Sequence, residues 1–160
     1  MKFLEPNQIS LYCIFKNLYL KSKAKDDKIL LKYFWKMNSY NINEDHLDKP
    51  LISFIIASYN VSESLERCLK SIIEQSLENF EVLIINDKST DNTLEIAQSF
   101  AKKDKKNRIK VISHLRNRGL AAVRNTGFLA SRGKYIWHID GDDYLGYKHA
   151  VKFISQIFVK

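Results

Sequence analysis

The chain has 160 residues, enough for one domain with a hydrophobic core and too few for two ordinary domains joined by a linker. Hydrophobic residues make up 45% of it, with only five Gly and two Pro, which excludes a disordered or fibrous protein. The formal net charge of +8 favours an anionic partner, such as nucleic acid, anionic lipid or a phosphorylated small molecule, without choosing among them.

Two further features concern the compartment. Cys13 and Cys68 match no metal-binding or redox spacing, so we expect two free thiols in a reducing environment. The most membrane-like segment, Leu11 to Leu20, is broken by Lys16 and Asn17 and falls short of the ~20 apolar residues of a membrane span. It also lacks a signal-peptide cleavage site. We therefore expect a cytoplasmic protein, free or at the inner face of the membrane.

Residues 1–49 are predicted to form a helical extension and a linker. Apolar residues on one face predict two short helices between Gln8 and Met37. The polar stretch from Asn38 to Pro50 ends in proline, as expected of a boundary loop. We expect the helices to cover part of a sheet or its edge, and the alternative is contact with a membrane or a partner chain.

From Leu51 the pattern changes to short apolar runs that alternate with helical periods. This alternation predicts an α/β fold with a mostly parallel sheet flanked by helices. Each of the four runs is apolar enough for a strand buried on both faces. The predicted strands are Leu51 to Ala57, Phe80 to Ile85, Arg108 to Ser113 and Lys134 to Ile139.

Helices are predicted between these strands. The first has Leu65, Cys68, Leu69, Ile72 and Ile73 on one face. The second runs from Asp91 to Lys103 after the cap cluster Ser89-Thr90-Asp91, and the third begins near Gly119 and stops at Gly133. Asn60 with Glu63 is a candidate capping box for the first, and Gly133 suits a left-handed position that ends the third. A short C-terminal helix is expected in residues 147–160.

Polar residues follow all four predicted strands. They are Ser58 to Asn60, Asn86 to Asp91, Asn117 to Gly119 leading to Arg124, and Asp140 to Asp143. In an open parallel sheet, ligands bind beyond the carboxyl ends of the strands. One edge of the sheet is therefore predicted to collect carboxylates, amides, hydroxyls and an arginine.

The acidic cluster after the fourth strand indicates a metal ion most directly. Asp140, Asp142 and Asp143 repel one another unless they are solvated, protonated or neutralised by a cation. Mg²⁺ and Mn²⁺ suit such oxygen ligands and bind through one or two carboxylates plus substrate phosphates. The alternative is a solvated acidic turn.

Other residues at this edge have a binding and a structural interpretation. Asp87 could bind a base imide or ribose hydroxyl, and its structural alternative is to cap a turn. Arg124 could bind a base carbonyl or phosphate, and its structural alternative is to lie on an exposed helix face. Tyr59 is suited to stacking on a base or packing on the sheet edge. His138 is predicted to be a core or lining histidine. The basic run Lys102 to Lys110 has no interleaved aromatics, so we expect a solvated helix end and no nucleic-acid site.

Four segments, in this order along the chain, together resemble the family 2 glycosyltransferases with the GT-A fold. The first is Phe54 to Asn60, and the second, Val82 to Asp91, is similar to the family's Asp-Asp-Gly-Ser-Thr-Asp segment. The third, Gly119 to Gly127, is similar to its Gly-Leu-Ser-Ala-Ala-Arg-Asn-Thr-Gly helix. The fourth, Tyr135 to Asp143, carries an Asp-X-Asp motif. The resemblance covers about Pro50 to Leu145. Local departures include Asn86 for the first Asp and Lys88 for Gly.

The resemblance implies that residues 50–146 bind a nucleotide sugar, often a UDP-sugar, together with divalent Mn or Mg. Transfer to a glycan or lipid-linked acceptor, in polysaccharide or cell-surface glycan synthesis, is the implied activity. By matching position, nucleotide contacts fall on Ala57, Tyr59, Asn60, Asp87, Arg124 and Asp140, metal contacts on Asp142 and Asp140, and sugar contacts on Gly141 and Asp143.

The catalytic residue stays unassigned. In the family, the general base that deprotonates the acceptor hydroxyl lies downstream of the Asp-X-Asp motif. Here 17 residues follow Asp143, and the stretch from Tyr147 to Lys160 has no carboxylate. We therefore expect the donor-binding part of a transferase with the rest of the catalytic domain absent. The alternative is a binding or interaction module without transferase activity.

Overall fold

Strands β1 (Ile52–Ser58) and β2 (Phe80–Asn86) form the centre of a parallel sheet in the computed structural model, which describes residues 49–158. Strand β3 (Ile109–Ser113) pairs with β2, and β4 (Tyr135–Asp140) pairs with β1. The strand order is β3-β2-β1-β4, with every neighbouring pair parallel. The α/β fold is confirmed, and each strand boundary differs from its predicted position by at most one residue.

Helices cover both faces of this sheet because alternate side chains of a strand point to opposite faces. On one face, Phe54 and Ile56 of β1 pack in a core with helices α1 (Leu65–Ile73), α2 (Thr93–Lys103) and α4 (Ala150–Phe158). On the other face, Ile55 packs in a core with Val123 of helix α3 (Leu120–Ala130). The whole of β2 is buried, as predicted from its mostly apolar run.

The approach of α3 to the sheet depends on a glycine. A Cβ on Gly127 would lie 2.2 Å from Cγ2 of Ile55, far inside van der Waals contact. The absence of a side chain at Gly127 therefore allows the helix to lie close to β1. This close packing fixes where the exposed face of α3, with Arg124, meets the sheet.

The prediction that all four strands are buried was wrong for β3 and β4. Both carry half-buried and exposed residues, because each has a strand neighbour on one side only within residues 49–158. His138 in β4 is exposed, so it is not a core histidine. Its pKa is lowered by partial desolvation and by the nearby Arg124 guanidinium.

Three details of the helix ends also differ from prediction. Helix α1 begins after Ser64 without a side-chain cap, so Asn60 and Glu63 form no capping box. Helix α2 begins at Thr93, two residues later than predicted. Gly133 has no positive φ; it is required for space, because a Cβ there would lie 2.6 Å from the backbone nitrogen of Ser53.

The helices predicted between Gln8 and Met37, and Cys13, lie outside the described residues. Cys68 is a buried free thiol, and burial, together with the charges of Asp143 and Asp142, raises its pKa to about 12. A thiol with such a pKa is unreactive at neutral pH. No helix within residues 49–158 is long and apolar enough to cross a membrane.

Candidate functional site

The register of the sheet brings the polar strand ends to one edge. Ser58 lies opposite Asn86 in the β1–β2 pair, Asn86 lies opposite Ser113, and Ala57 lies opposite Asp140. The loops that follow all four strands therefore leave the sheet side by side. This is the arrangement that the sequence predicted.

The loops after β1 and β2 are joined through Asn60. Its side-chain oxygen accepts a hydrogen bond from the backbone amide of Thr90 at 2.9 Å, and the backbone amide of Asn60 donates to the Ser89 hydroxyl at 3.1 Å. Asn60 has φ 52°, a left-handed conformation that Asn adopts more readily than most residues. Asn60 thus shapes the loop that carries Tyr59, a residue that is 48% exposed at the rim.

Asp91 holds the same two loops from the other side. Its carboxylate accepts the amide hydrogens of Ser62 and Thr93, each at 3.0 Å. Desolvation acts to raise the pKa of Asp91, but the hydrogen bonds from Thr93 and Ser62 outweigh it and bring the pKa to about 2. Asp91 is therefore an ionised part of the framework.

Asp87 lies at the base of the site. Its carboxylate is 3% exposed and accepts hydrogen bonds from the Gly119 amide at 2.7 Å, the Arg118 amide at 2.9 and 3.0 Å, and Nδ1 of His114 at 2.6 Å. Desolvation acts to raise the pKa of Asp87, yet the His114 and amide hydrogen bonds together lower it. Asp87 thus anchors the turn that starts α3, as its structural interpretation predicted.

This anchoring engages both oxygens of Asp87. A carboxylate has about four lone-pair sites. His114 and the Arg118 amide contact Oδ1, while the Arg118 and Gly119 amides contact Oδ2. The Arg118 amide is shared between the two oxygens, so a further donor would have to displace one of its two contacts.

His114 is the residue at this edge that sequence reasoning missed. Its Nε2 lies 2.8 Å from the Thr126 hydroxyl on α3, while Nδ1 contacts Asp87. The chain positions of these partners gave no local motif. The available signal was only that His114 directly follows β3, at the edge where the other polar residues collect.

Two predicted site residues contact each other across the opening. Nη2 of Arg124 on α3 lies 3.4 Å from Oδ1 of Asp140 at the end of β4, and the two side chains are 45% and 43% exposed. The exposed arginine therefore has an anionic partner from another element. A half-exposed ion pair of this kind is weak, and both groups remain accessible to a ligand.

The turn after β4 presents two further carboxylates to solvent. Gly141 is buried, and its amide donates a hydrogen bond to the carbonyl oxygen of Ala57 at 2.8 Å. A Cβ at this position would lie 2.8 Å from Val61 and 2.9 Å from the same carbonyl oxygen. This contact holds the turn against β1. Asp142 and Asp143 follow it and are exposed.

The residues fit one kind of metal ion. Within residues 49–158, no group of three or more His, Cys, Asp or Glu side chains is placed to hold a metal ion. Asp140 and Asp142 offer hard carboxylate oxygens beside an open edge. Mg²⁺ or Mn²⁺ fits this donor set, since such ions bind proteins through one or two carboxylates and take other ligands from phosphates and water.

Comparisons with known proteins agree with this geometry. The family model for glycosyl transferase family 2 matches residues 53–156. The chain is 46% identical over 96 residues to the uncharacterized glycosyltransferase EpsJ of Bacillus subtilis, covering 60% of this chain and 27% of EpsJ. It is 36% identical over 120 residues to the hyaluronan synthase of Pasteurella multocida, covering 74% of this chain and 12% of that protein. The chain thus spans less than a third of either relative.

A solved structure shows the same fold. The crystal structure of S. aureus TarS 1–349 in complex with UDP superposes with a TM-score of 0.62 at 28% identity, covering 68% of this chain and 32% of that fragment. TarS has also been solved in complex with UDP-GlcNAc. The similarity confirms the GT-A-like arrangement of the parallel sheet and its helices.

Proposed function

This chain belongs to glycosyl transferase family 2, and from that membership we propose that the carboxyl edge of its sheet binds a nucleotide sugar with a divalent metal ion for sugar transfer. The observation that carries the proposal is the convergence of Asp87, Arg124 and Asp140 at one edge, next to the exposed Asp142. A basic guanidinium and adjacent carboxylates are the groups that a diphosphate and its metal ion require.

The nucleoside is assigned to the side of the site near β1 and β2. Tyr59 presents an exposed side chain for stacking on the base, and Asp87 suits a base imide N–H that replaces one of the two contacts of the shared Arg118 amide. Arg124 provides donors for a base carbonyl or a phosphate. Ala57 and Asn60 form the adjoining backbone. The complexes of the relative TarS with UDP and UDP-GlcNAc support a uracil nucleotide as the first candidate.

The diphosphate and sugar are assigned to the turn after β4. Asp142 and Asp140 would hold the metal ion, with Asp143 and Gly141 beside the sugar. When bound, the ion would neutralise charge that develops on the departing nucleoside diphosphate. The carboxylates supply the hard ligands, and Arg124 supplies a second positive group beside them.

The acceptor is proposed to be a glycan or lipid-linked glycan in polysaccharide or cell-surface glycan synthesis, a proposal supported by the similarity to hyaluronan synthase. The transfer step needs a general base that removes the proton of the acceptor hydroxyl. We assign that role to none of residues 49–158. The proposal therefore concerns the donor half of the reaction.

A thermal-shift screen tests this proposal. The full chain is heated with UDP, GDP or CDP, with and without Mn²⁺. A nucleotide at 100 times its Kd should stabilise the folded protein by about 2.7 kcal/mol and raise Tm measurably. We expect UDP with Mn²⁺ to give the largest rise. No rise with any nucleotide would overturn the proposal and favour an interaction module without transferase activity.

A further inference from the structure

Three hydrogen-bonded polar side chains, the His114 cluster, link the ends of β2 and β3 to α3. The carboxylate of Asp87 contacts Nδ1 of His114 at 2.6 Å, and Nε2 of His114 contacts the Thr126 hydroxyl at 2.8 Å. The His114 and Asp87 side chains are 6% and 3% exposed. Both ring nitrogens of His114 are therefore used away from solvent, and each joins a different structural element.

Hydrogen-bond chemistry determines which groups of the His114 cluster donate and which accept. A carboxylate only accepts, so Nδ1 of His114 carries the hydrogen and donates it to Asp87. In the neutral ring, Nε2 then accepts the hydroxyl hydrogen of Thr126. Removing the imidazole would take one donor from the buried Asp87 carboxylate, which is costly, and would take this partner from the half-buried Thr126 hydroxyl.

Helix α3 is held at two points by this arrangement. Asp87 accepts the amides of Arg118 and Gly119, which directly precede the helix, and His114 holds Thr126 farther along it. Arg124 lies between these two attachments. Its guanidinium extends from that segment to Asp140 at the opening of the site.

We propose that His114 is a positioning residue of the nucleotide site. It holds Asp87 and the Arg124 segment of α3 at a fixed separation. The inference rests on the proposed function, because it treats Asp87 and Arg124 as nucleotide contacts. His114 itself is buried beneath them and contacts no ligand. Its effect on binding is transmitted through Asp87 on one side and Thr126 on the other.

The amino ends of the strands, opposite the candidate site, contain a second buried polar cluster that serves as a matched control. Buried Glu81 in β2 accepts hydrogen bonds from the Ser53 hydroxyl at 2.7 Å and from Arg132 Nε at 3.0 Å. Ser53 also accepts the Gly133 amide at 2.8 Å. The Glu81 contacts join β1, β2 and the segment after α3, just as the His114 cluster joins the ends of β2 and β3 to α3. The Glu81 contacts, however, lie at the amino ends of the strands. A change there alters stability without reaching the candidate site.

The test measures UDP affinity in the presence of Mn²⁺ by calorimetry for wild type, His114→Ala, Thr126→Ala, Thr126→Ser and Ser53→Ala, with urea unfolding of each. We expect His114→Ala to weaken UDP binding about tenfold or more, because a misplaced binding group loses much of its contribution. Thr126→Ala should show part of this loss, and Thr126→Ser should restore wild-type affinity. Ser53→Ala should lose stability while its UDP affinity stays within about twofold.

The outcomes separate the two proposals. If wild type binds no nucleotide, the proposed function fails. If wild type binds UDP and folded His114→Ala binds it equally well, or if Ser53→Ala weakens UDP binding as much as His114→Ala, the positioning role is wrong. Should His114→Ala not fold, the Thr126 pair decides: equal affinity in Thr126→Ala and Thr126→Ser contradicts the role.

Discussion

The guanidinium of Arg124 lies 3.4 Å from the carboxylate of Asp140, so helix α3 and strand β4 meet at the opening of the candidate site. The two residues are 16 positions apart and belong to different elements. Their proximity connects the predicted nucleotide contacts on one side with the predicted metal ligands on the other.

Arg124→Ala should weaken UDP binding with little loss of stability. The Arg124–Asp140 pair is half-exposed, so its loss should change the free energy of unfolding by less than about 1 kcal/mol. Loss of a guanidinium contact to the nucleotide should weaken binding by about tenfold. Calorimetric titration and urea unfolding measure the two effects. Lys105→Ala, a change of an exposed cation away from the site, is the control, and equal affinity in both variants would exclude a role for Arg124.

Asp91 predicts a specific dependence of stability on pH. Its pKa of about 2 in the folded protein is below its value of about 3.9 in an unfolded chain. A lowered pKa means that the ionised carboxylate stabilises the fold above about pH 4, and that this contribution is lost as the pH falls towards 2. Asp91→Asn should therefore flatten the decline in stability over that range, by roughly 1–2 kcal/mol. Parallel acid-unfolding curves for the variant and wild type would show that Asp91 does not contribute.

Gly127→Ala should destabilise the fold by about 1–3 kcal/mol, because the new methyl group would overlap Ile55 in β1. Gly146→Ala is the control, since a Cβ there would meet no atom within 4 Å. Urea unfolding should also show that Ile55→Ala and Gly127→Ala together cost less than the sum of the single changes. Strict additivity would contradict direct contact between the two positions.

Lys88→Gly should stabilise the protein by about 0.5–1 kcal/mol. Lys88 has φ 61°, a left-handed conformation that is unfavourable for a residue with a Cβ and natural for glycine. Glycine stands at this position in the family segment that the sequence resembles. Lys110→Gly in β3 should instead be destabilising, since glycine weakens a strand. A loss of stability in Lys88→Gly would indicate that the Lys88 side chain makes compensating contacts.

The central strands could be predicted from the sequence because β1 and β2 are mostly apolar runs, and such runs suit burial on both faces. The exposure of β3 and β4 could not, because an apolar run does not indicate whether a strand will be central or at an edge of the sheet. That difference depends on pairing between segments far apart along the chain. The core interpretation of His138 was wrong for this reason.

The site was predictable to the extent that strand order determined it. Asp87, Arg124, Asp140 and Asp142 follow strand ends or lie on the helix after one, so a parallel sheet brings them to one edge. Specific partners were less accessible to sequence reasoning. Asn60 suited a local capping box, yet its side chain binds the Thr90 amide 30 positions away. The contacts of His114 with β2 and α3 likewise depend on tertiary packing.

The central claim is that Asp142 helps a divalent ion hold a nucleoside diphosphate at this edge. Isothermal titration of UDP into wild type and Asp142→Asn, each with and without Mn²⁺, tests it directly, with Glu95→Gln on the surface of α2 as the control. We expect Mn²⁺ to tighten UDP binding in wild type and in the control, and to have no effect on UDP binding by Asp142→Asn. Binding of UDP that is indifferent to Mn²⁺ in wild type, or an unchanged Mn²⁺ effect in Asp142→Asn, would contradict the claim.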